Sequence, residues 1–466
     1  MIGKLKIFIY FSVGKFKMNC IIILEETRNM YIKRDIDDEL LNWKNSNNRK
    51  PLILRGVRQC GKTSAVRNLS KEFDCYIELN LDKDTKFHDL FLDNINISNI
   101  LQRLELEFSK KIVQNNTLIF IDEIQECPRA ISALRYFYEE AKDIHVIAAG
   151  SLLEFALNNK QVIDFPVGRV RSLFMYPFTF LEYLRGTGKE PLYDYLNNLN
   201  FNSDNFMHDK LIEEYKKFLI IGGMPEAILE YVNTKSLYAC QQIHRDIIIN
   251  FMDDFNKYSS TISTETIKSV FNYCLHNVCS QIKASSAING ISAYLFEECL
   301  SLLSKAGLIH IVKASSCEAL PLEAGSKNAN KKILLFDTGV YLSQCGLDVG
   351  DILSTSYFDG LNKGDVVEME TGLELIKYNK NYNENKLYYW YRSGANAEID
   401  YVINNKSKII PIEVKASNKG SMQSLRQFLN KFKGVEYGIR VSLENLTTYD
   451  NIKVVPVYGT KLIYNL

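Results

Sequence analysis

Several features that would mark a specialised class of protein are missing from this sequence. None of its ten cysteines belongs to a C-x-x-C pair, which indicates reduced thiols and argues against a disulfide framework. Lys and Arg number 56 against 55 Asp and Glu, so no overall charge attracts nucleic acid, although a local basic groove is compatible with this balance. No apolar run is long enough to span a bilayer. We therefore expect a cytoplasmic protein that does not enter a membrane.

The chain of 466 residues is long enough for two to four domains and contains no internal repeat. We expect residues 1–29 to lie outside the fold, because Met30 is a natural start and no clean cleavage site follows the short apolar run before it. Cys274, His276 and Cys279 are close in sequence. A zinc site needs four convergent ligands, so we interpret these three residues as part of an amphipathic helix.

The first part of the chain alternates short apolar runs with helical patterns. A helix is expected over residues 35–46, and the apolar runs cover residues 50–56, 75–81, 117–123 and 145–151. The later runs each follow a helical stretch of ten or more residues. This alternation predicts an α/β domain, with a parallel sheet that is covered by helices on both faces.

A phosphate-binding motif follows the first of these runs. Residues 56–63 read GVRQCGKT and match G-x-x-x-x-G-K-[ST] between a strand and a helix. The two glycines allow backbone N–H groups to face the phosphates of ATP, and Lys62 reaches the β- and γ-phosphates. Thr63 offers its hydroxyl to Mg²⁺. The predicted ATP-binding residues are Gly56, Val57, Arg58, Gln59, Cys60, Gly61, Lys62, Thr63 and Ser64.

Two acidic residues complete the predicted ATP site. Asp122 ends a buried strand and would hold Mg²⁺ together with Thr63, whereas Glu123 would orient or deprotonate the attacking water. Two acids after a strand can also simply cap the next helix. Their combination with the P-loop favours the functional interpretation.

Ser151 and Arg169 are further candidates for catalysis, and each has a plainer alternative. Ser151 follows a third strand, at the edge of the sheet where ligands bind, and would contact the γ-phosphate or the water. It could equally be the N-cap of a helix. Arg169 would neutralise charge in the transition state, in its own chain or in a neighbouring chain of a homo-oligomer, or it is a surface arginine.

Motifs along nearly the whole chain from Met30 resemble one family, in the same order. They are MYIKRDI (30–36), LRGVRQCGKT (54–63), IFIDEIQECP (119–128), AAGSLL (148–153), PVGRVRSLFMYPFTFLEYL (166–184), GGMPEA (222–227), LLFDTGVYL (334–342), AEIDYVI (397–403) and PIEVKAS (411–417). The chain resembles the bacterial and archaeal AAA-type ATPases that carry a C-terminal domain of unknown function with a restriction-nuclease-like core.

This resemblance implies four segments. They are a P-loop, AAA+-like ATPase domain (30–190), a helical lid or linker (191–261), a winged-helix-like segment (262–325) and an α/β domain of the PD-(D/E)xK nuclease-like type (326–466). In the last segment we expect strands at 331–337, 386–392, 398–403 and 408–416. The chain departs from the family at VVEMETG (366–372), which replaces a more apolar helix face.

Four C-terminal residues match the pattern of metal-dependent PD-(D/E)xK nucleases. Glu413 and Lys415 are two apart on one strand of a predicted β-hairpin, so both side chains should leave the same face. Asp400 on the partner strand would share a second Mg²⁺ or Mn²⁺ with Glu413, and Glu368 on the preceding helix would complete the cluster. Alternating charges are also common on plain surface strands, so cleavage of DNA or RNA stays open.

The winged-helix-like segment is a poor candidate for reading DNA. Its helix over residues 291–306 carries Glu297 and Glu298 against a single Lys305, whereas a groove-reading helix offers basic or amide side chains. Packing against the ATPase domain explains this helix better. Three hypotheses follow: an ATP-driven switch that repositions the C-terminal module, an ATP-dependent nuclease, or a STAND-like signalling ATPase whose nuclease-like end binds a protein partner.

Overall fold

A computed structural model of the protein describes residues 31–92, 95–150, 165–203, 206–255, 262–346, 363–379, 386–392, 397–417 and 421–466. The predicted extension 1–29, Met30 and Ser151 lie outside these residues. In the part of the chain that is described, no helix has the length and apolar character needed to cross a membrane.

Helices and strands alternate through the first part of the chain, helices dominate the middle, and strands dominate the end. The α-helices are α1 (Asp35–Lys44), α2 (Lys62–Leu69), α3 (Ile97–Phe108), α4 (Pro128–Glu140), α5 (Phe180–Gly186), α6 (Glu190–Asn197), α7 (His208–Ile221), α8 (Pro225–Thr234), α9 (Leu237–Asp254), α10 (Thr264–His276), α11 (Ala293–Lys305), α12 (Thr338–Gln344), α13 (Lys363–Tyr378) and α14 (Gln423–Lys431). The strands are β1 (Leu52–Arg55), β2 (Cys75–Asn80), β3 (Thr117–Asp122), β4 (His145–Ala149), β5 (Arg171–Phe174), β6 (Ile309–Ser315), β7 (Ser326–Leu335), β8 (Leu387–Tyr391), β9 (Glu398–Asn405), β10 (Lys408–Val414), β11 (Gly438–Ser442), β12 (Thr447–Tyr449) and β13 (Ile452–Pro456).

The first sheet has the strand order β2-β3-β4-β1-β5, and all its pairs are parallel. Successive side chains of its central strands enter different cores, as Phe120 and Ile121 of β3 do. One core includes residues of α1 and α2, and the other includes residues of α3 and α4. The predicted parallel sheet with helices on both faces is therefore confirmed.

Strand β5 was not predicted from the sequence. It is a four-residue edge strand that pairs with β1, and of its residues only Leu173 is buried. An edge strand this short shows neither a long apolar run nor a clear alternation. It nevertheless matters for the site, because the chain that leaves it continues past the P-loop to α5.

The second sheet is mixed, with the order β12-β13-β11-β10-β9-β8-β6-β7. Strands β9 and β10 form the predicted antiparallel hairpin, whose turn residues Lys406 and Ser407 have φ values of 51° and 64°. The antiparallel neighbours β6 and β7 lie on either side of the predicted boundary at 325/326. The sheet thus runs continuously from the winged-helix-like segment into the C-terminal segment.

Helix α11 is the one that sequence analysis singled out as a poor DNA reader. Its residues Cys299, Leu300 and Leu303 are fully buried. Glu297 forms a salt bridge with Lys331 of β7, so one of its two acids is used inside the protein. The turn after the helix brings Gly307 against the backbone of Val57 in the P-loop. These contacts agree with a packing role.

Candidate functional site

The P-loop connects β1 to α2 through a backbone that requires glycine at two positions. Gly56 has a φ of 147°, and a Cβ atom there would lie 2.1 Å from the carbonyl oxygen of Met175. Gly61 has a φ of 101° and is the N-cap of α2. The N–H groups of the loop and the positive end of the helix dipole then lie together at the carboxyl end of β1, which is a favourable position for a phosphate.

Lys62 is buried at the start of α2, with 8% of its surface exposed. Its Nζ donates hydrogen bonds to the carbonyl oxygens of Gly56 at 2.9 Å and of Val57 at 3.0 Å. Both partners are neutral, so the positive charge of Lys62 is held in place without being cancelled. A phosphate that binds here can therefore form a charge-assisted hydrogen bond with Lys62.

Thr63 and Asp122 meet as predicted, since Thr63 Oγ1 donates to Asp122 Oδ2 at 2.9 Å. The other carboxylate oxygen accepts the N–H of Glu123 at 3.1 Å. Burial raises the pKa of Asp122, while the hydrogen bond from Thr63 lowers it less. Among the described residues no Lys or Arg forms a salt bridge with Asp122. A half-buried hydroxyl beside an uncompensated carboxylate fits Mg²⁺, which prefers oxygen ligands and carboxylates.

Glu123 follows directly, in a left-handed backbone conformation with a φ of 51°. Non-glycine residues in this region are strained and are found disproportionately at functional sites. Its Oε2 accepts a hydrogen bond of 2.7 Å from Gln125 Nε2. Gln125 was missed by sequence analysis. Its side chain passes so close to Gly150, the residue before Ser151, that a Cβ there would lie 2.2 Å from Gln125 Oε1.

A cavity of about 340 Å³ opens beside the P-loop, next to Gly61 and Ser64. Its other lining residues include Arg34, Asn68, Phe178 and Pro225. The GGMPEA motif therefore reaches the P-loop in space, since Pro225 also lies within 3.6 Å of the position a Cβ would take on Gly61. The mixed apolar and polar lining suits the base and sugar of a nucleotide.

Arg34 is a residue of this region that sequence analysis did not single out. Its side chain donates to Glu182 Oε1 at 3.0 Å and to the carbonyl of Tyr176 at 2.8 Å, and its guanidinium lies 3.7 Å from the ring centre of Phe178. Burial would raise the pKa of Glu182, but Arg34 and backbone N–H groups outweigh burial and lower it. The buried ion pair fixes the segment before α1 to the wall of the cavity.

The remaining predicted residues of the ATP site are placed differently. Arg58 forms an ion pair with Asp254 at the end of α9, so the P-loop is tied to the helical segment. Arg169 is 45% exposed and pairs with Glu139 at 3.0 Å. It precedes β5 at the amino end of the sheet, opposite the P-loop, so it does not reach the ATP site of its own chain. Its predicted role in a neighbouring chain stays a prediction.

The structure brings the four predicted C-terminal residues, Glu368, Asp400, Glu413 and Lys415, into one region. Glu398, which was not predicted, lies there too. We call Glu368, Glu398, Asp400 and Glu413 the carboxylate cluster. Asp400 Oδ2 accepts the N–H of Val414 at 2.7 Å, next to Glu413. Lys415 Nζ lies 3.1 Å from Glu413 Oε1, so both side chains leave the same face as predicted.

Lys332, a buried lysine of β7 that was not predicted as a site residue, lies inside this cluster. Its Nζ is 2.8 Å from Glu368 Oε1 and 3.7 Å from Asp400 Oδ1, and it also contacts Glu398. Burial lowers the pKa of Lys332, but the three carboxylates outweigh burial and raise it well above its usual range. The pKa of Glu368 is raised, because the effects of burial and of Asp400 are larger than the opposite effect of Lys332.

Protein-family models match three stretches of the chain. Residues 48–184 match the family described as an AAA domain, and this match includes the P-loop, Asp122 and Glu123. This match supports the predicted AAA-type P-loop ATPase domain in this part of the chain. Residues 212–350 and 363–459 match two families described as domains of unknown function (DUF8612 and DUF4143). No curated protein matches the chain.

Solved structures show only distant similarity. The Walker-type ATPase paby2304 of Pyrococcus abyssi is 15% identical, with a TM-score of 0.41 over 67% of this chain and 95% of that one. The ORC1 protein of Aeropyrum pernix, solved in complex with DNA, is 12% identical with a TM-score of 0.30, over 68% of this chain and 93% of that one. The RuvB Holliday junction branch migration motor of Thermotoga maritima is 14% identical with a TM-score of 0.27, over 60% and 89%. Scores this low say nothing about substrates or partners.

Proposed function

We propose that this protein is an Mg²⁺-dependent ATPase whose nucleotide state repositions its C-terminal module. The observation that carries the proposal is the position of Phe178. This residue lines the cavity beside the P-loop, and its carbonyl oxygen accepts a hydrogen bond of 3.1 Å from Lys377 of α13. A single residue therefore contacts both the candidate nucleotide site and the C-terminal module.

The P-loop residues supply the binding part of this function. Bound ATP would lie with its phosphates against the N–H groups of residues 56–63 and would pair with Lys62. Thr63 and Asp122 would hold Mg²⁺, which neutralises phosphate charge during the reaction. Glu123, positioned by Gln125, would accept the proton of the attacking water. The base and sugar would occupy the cavity that Arg34 and Phe178 line.

The backbone of Phe178 is also tied to the GGMPEA motif. Its N–H donates to the carbonyl of Gly223 at 2.7 Å, and the N–H of Gly223 donates to Asp337 Oδ2 at 2.6 Å. Asp337 caps α12 by accepting the N–H of Val340 at 2.9 Å. A nucleotide that shifts Phe178 or Pro225 would therefore act directly on the start of α12.

Helix α13 carries buried charges that contact the ATPase domain and α12. Glu374 Oε1 accepts the N–H of Phe180 at 3.0 Å, and Glu370 accepts hydrogen bonds from Thr338 at 3.0 Å and from Lys377 at 3.2 Å. This explains why VVEMETG replaces a more apolar helix face. Hydrogen bonds from these buried charges to neighbouring elements fix one relative arrangement, because breaking them leaves a buried charge without its partner. That cost is large enough to separate two discrete states.

The test is hydrogen exchange of the full-length Glu123→Gln protein, in which bound ATP should persist. We expect Mg²⁺-ATP to slow exchange in residues 56–69 and to change exchange in residues 363–378. In Lys377→Met on the same background, ATP should still protect the P-loop while the response of residues 363–378 is lost.

The control is Lys408→Met, which removes a half-exposed lysine whose partner, Glu436, is exposed on the surface. It should leave the response of residues 363–378 intact. If ATP slows hydrogen exchange in the P-loop but leaves hydrogen exchange in residues 363–466 unchanged, the proposed switch is wrong.

A metal-dependent nuclease is the second candidate, because Glu368, Asp400, Glu413 and Lys415 lie in one region. Its test is cleavage of defined DNA and RNA with Mn²⁺, with and without ATP. Activity that Asp400→Ala abolishes would establish it. The position of Lys332 argues against it.

A further inference from the structure

The position of Lys332 decides what the carboxylate cluster can hold. Its side chain is 2% exposed, and its Nζ lies 2.8 Å from Glu368 Oε1 and 3.7 Å from Asp400 Oδ1 while also contacting Glu398. These acids come from α13 and β9, so the ammonium group lies where the two elements meet. A divalent cation shared by Glu368 and Asp400 would need the same position.

The other oxygens of the cluster are mostly used as well. Asp400 Oδ2 accepts the N–H of Val414 at 2.7 Å, and Glu398 Oε2 accepts a hydrogen bond of 2.6 Å from Gln281. Glu413 Oε1 pairs with Lys415 at 3.1 Å. Glu413 Oε2 is buried and has no hydrogen-bond partner among the described residues. Six of the eight carboxylate oxygens of the cluster therefore face a lysine, an amide or a backbone N–H group, which leaves few for a divalent cation that prefers several oxygen ligands.

The arrangement of possible metal ligands also argues against a bound divalent cation. Within the described parts of the chain, no group of three or more His, Cys, Asp or Glu side chains is arranged to hold a metal ion. A metal could enter only if Lys332 moved away, because two cations a few ångströms apart repel each other strongly in a buried site. Lys332 would then lose its partners while still buried, which is costly.

We propose that Lys332 is the resident cation of the carboxylate cluster and replaces a divalent metal there. The C-terminal module then needs no metal to fold and does not cleave nucleic acid by metal-dependent chemistry. Lys332 instead fastens α13, through Glu368, to the second sheet. The proposal does not depend on ATP binding, so its failure leaves the proposed switch untouched.

The first experiment measures Mn²⁺ binding to the nucleotide-free, full-length protein by the loss of the free-ion EPR signal. We expect wild type and Asp400→Asn to bind the same amount of Mn²⁺, so that any weak binding at the P-loop cancels. A Mn²⁺ ion that wild type binds and Asp400→Asn loses would overturn the proposal.

The second experiment removes the resident cation. Lys332→Met should gain one Mn²⁺ site, and the double variant Lys332→Met/Asp400→Asn should lose it again. The matched control is Lys331→Met, because Lys331 pairs with Glu297 of α11 instead of with the cluster. This control should gain no Mn²⁺. A folded Lys332→Met protein that binds no additional Mn²⁺ contradicts the idea that the ammonium occupies a metal position.

Lys332→Met leaves buried carboxylates without their cation, so its Tm should fall by on the order of 10 °C. Lys332→Met/Glu368→Gln removes one charge of each sign and should recover a large part of that loss, which a double-mutant cycle measures. Strictly additive losses would show that Lys332 and Glu368 do not act as a pair, and the proposal would fall. If Lys332→Met does not fold, Lys332→Met/Glu368→Gln should fold again, and a double variant that also fails to fold would overturn the proposal.

Discussion

Two buried lysines, Lys62 in the ATPase domain and Lys332 in the C-terminal module, are held in opposite ways. Lys62 Nζ donates to two neutral carbonyl oxygens, whereas Lys332 Nζ contacts three carboxylates. The aspartates near these two lysines also differ in whether they have a cationic partner. Asp122 accepts hydrogen bonds from Thr63 and from a backbone N–H but pairs with no lysine or arginine among the described residues, whereas Asp400 faces Lys332.

This difference separates a site that can bind charged ligands from one whose carboxylates are already paired with lysines of the chain. At the P-loop, one uncompensated cation and one uncompensated anion match the phosphates and the Mg²⁺ of an incoming nucleotide. In the carboxylate cluster the cation is part of the chain. Both regions show a motif with acids and a lysine, and only the contacts distinguish a ligand site from an internal ion network.

The largest expected effect is on turnover at the P-loop. Glu123→Gln should bind ATP but lower kcat by about 10²- to 10⁴-fold, because the amide cannot accept a proton from water. Steady-state phosphate release measures kcat, and equilibrium binding of a fluorescent ATP analogue checks affinity. The control is Glu126→Gln, since Glu126 is exposed three residues further on. Normal turnover in Glu123→Gln would assign the base to another residue.

The next effect is on ATP affinity. Lys62→Ala should weaken ATP binding by on the order of 100-fold, because the phosphates lose a buried, charged hydrogen-bond donor. Isothermal titration measures the affinity, and Lys83→Ala, at an exposed lysine of the same domain, is the matched control. If Lys62→Ala folds and binds ATP as wild type does, Lys62 is not a phosphate-binding lysine and the contrast with Lys332 is lost.

The smallest effect concerns the two aspartates. Because burial raises the pKa of Asp122, the folded protein binds its proton more tightly than the unfolded chain. The stabilisation from this group is present at low pH and is lost as the pH rises through the raised pKa. At pH 7 without nucleotide, Asp122→Asn should therefore raise the Tm by roughly 2 °C and flatten its dependence on pH.

Differential scanning fluorimetry measures these shifts, with Asp82→Asn at an exposed position as the control. Asp400→Asn should lower the Tm instead, because Lys332 loses one of its partners. If both aspartate variants shift the Tm in the same direction, the distinction between the two sites fails.

The P-loop site was largely predictable because its parts are local or follow strands. Gly56 to Ser64 are contiguous, and Asp122 comes to Thr63 because both follow parallel strands whose carboxyl ends lie at one edge of the sheet. Gln125 was missed, because only the structure shows that its side-chain amide turns back to donate to Glu123 Oε2. Arg34 was missed because its partner, Glu182, lies 148 residues away in sequence.

In the carboxylate cluster, the sequence allowed acidic residues to be predicted but not the lysine that contacts them. Lys332 is 36 residues from Glu368, and no local spacing connects them. One sequence signal was available. Lys331 and Lys332 are adjacent in the strand KKILLF, so their side chains point to opposite faces and one of them faces inward in any register. That signal shows that a lysine is buried without showing what it contacts.

By itself the sequence determined the α/β pattern of the ATPase part, the P-loop and its acids, and it also determined the β9–β10 hairpin of the C-terminal module. These features follow from periodicity and from contiguous motifs, in which neighbours in sequence are neighbours in space. Only the tertiary structure decided that Phe178 joins the cavity to α13, that Arg169 lies away from its own ATP site, and that Lys332 sits among the C-terminal carboxylates. The physical reason is that buried charges are stabilised by whichever partners folding brings within a few ångströms, and those partners lie far apart along the chain.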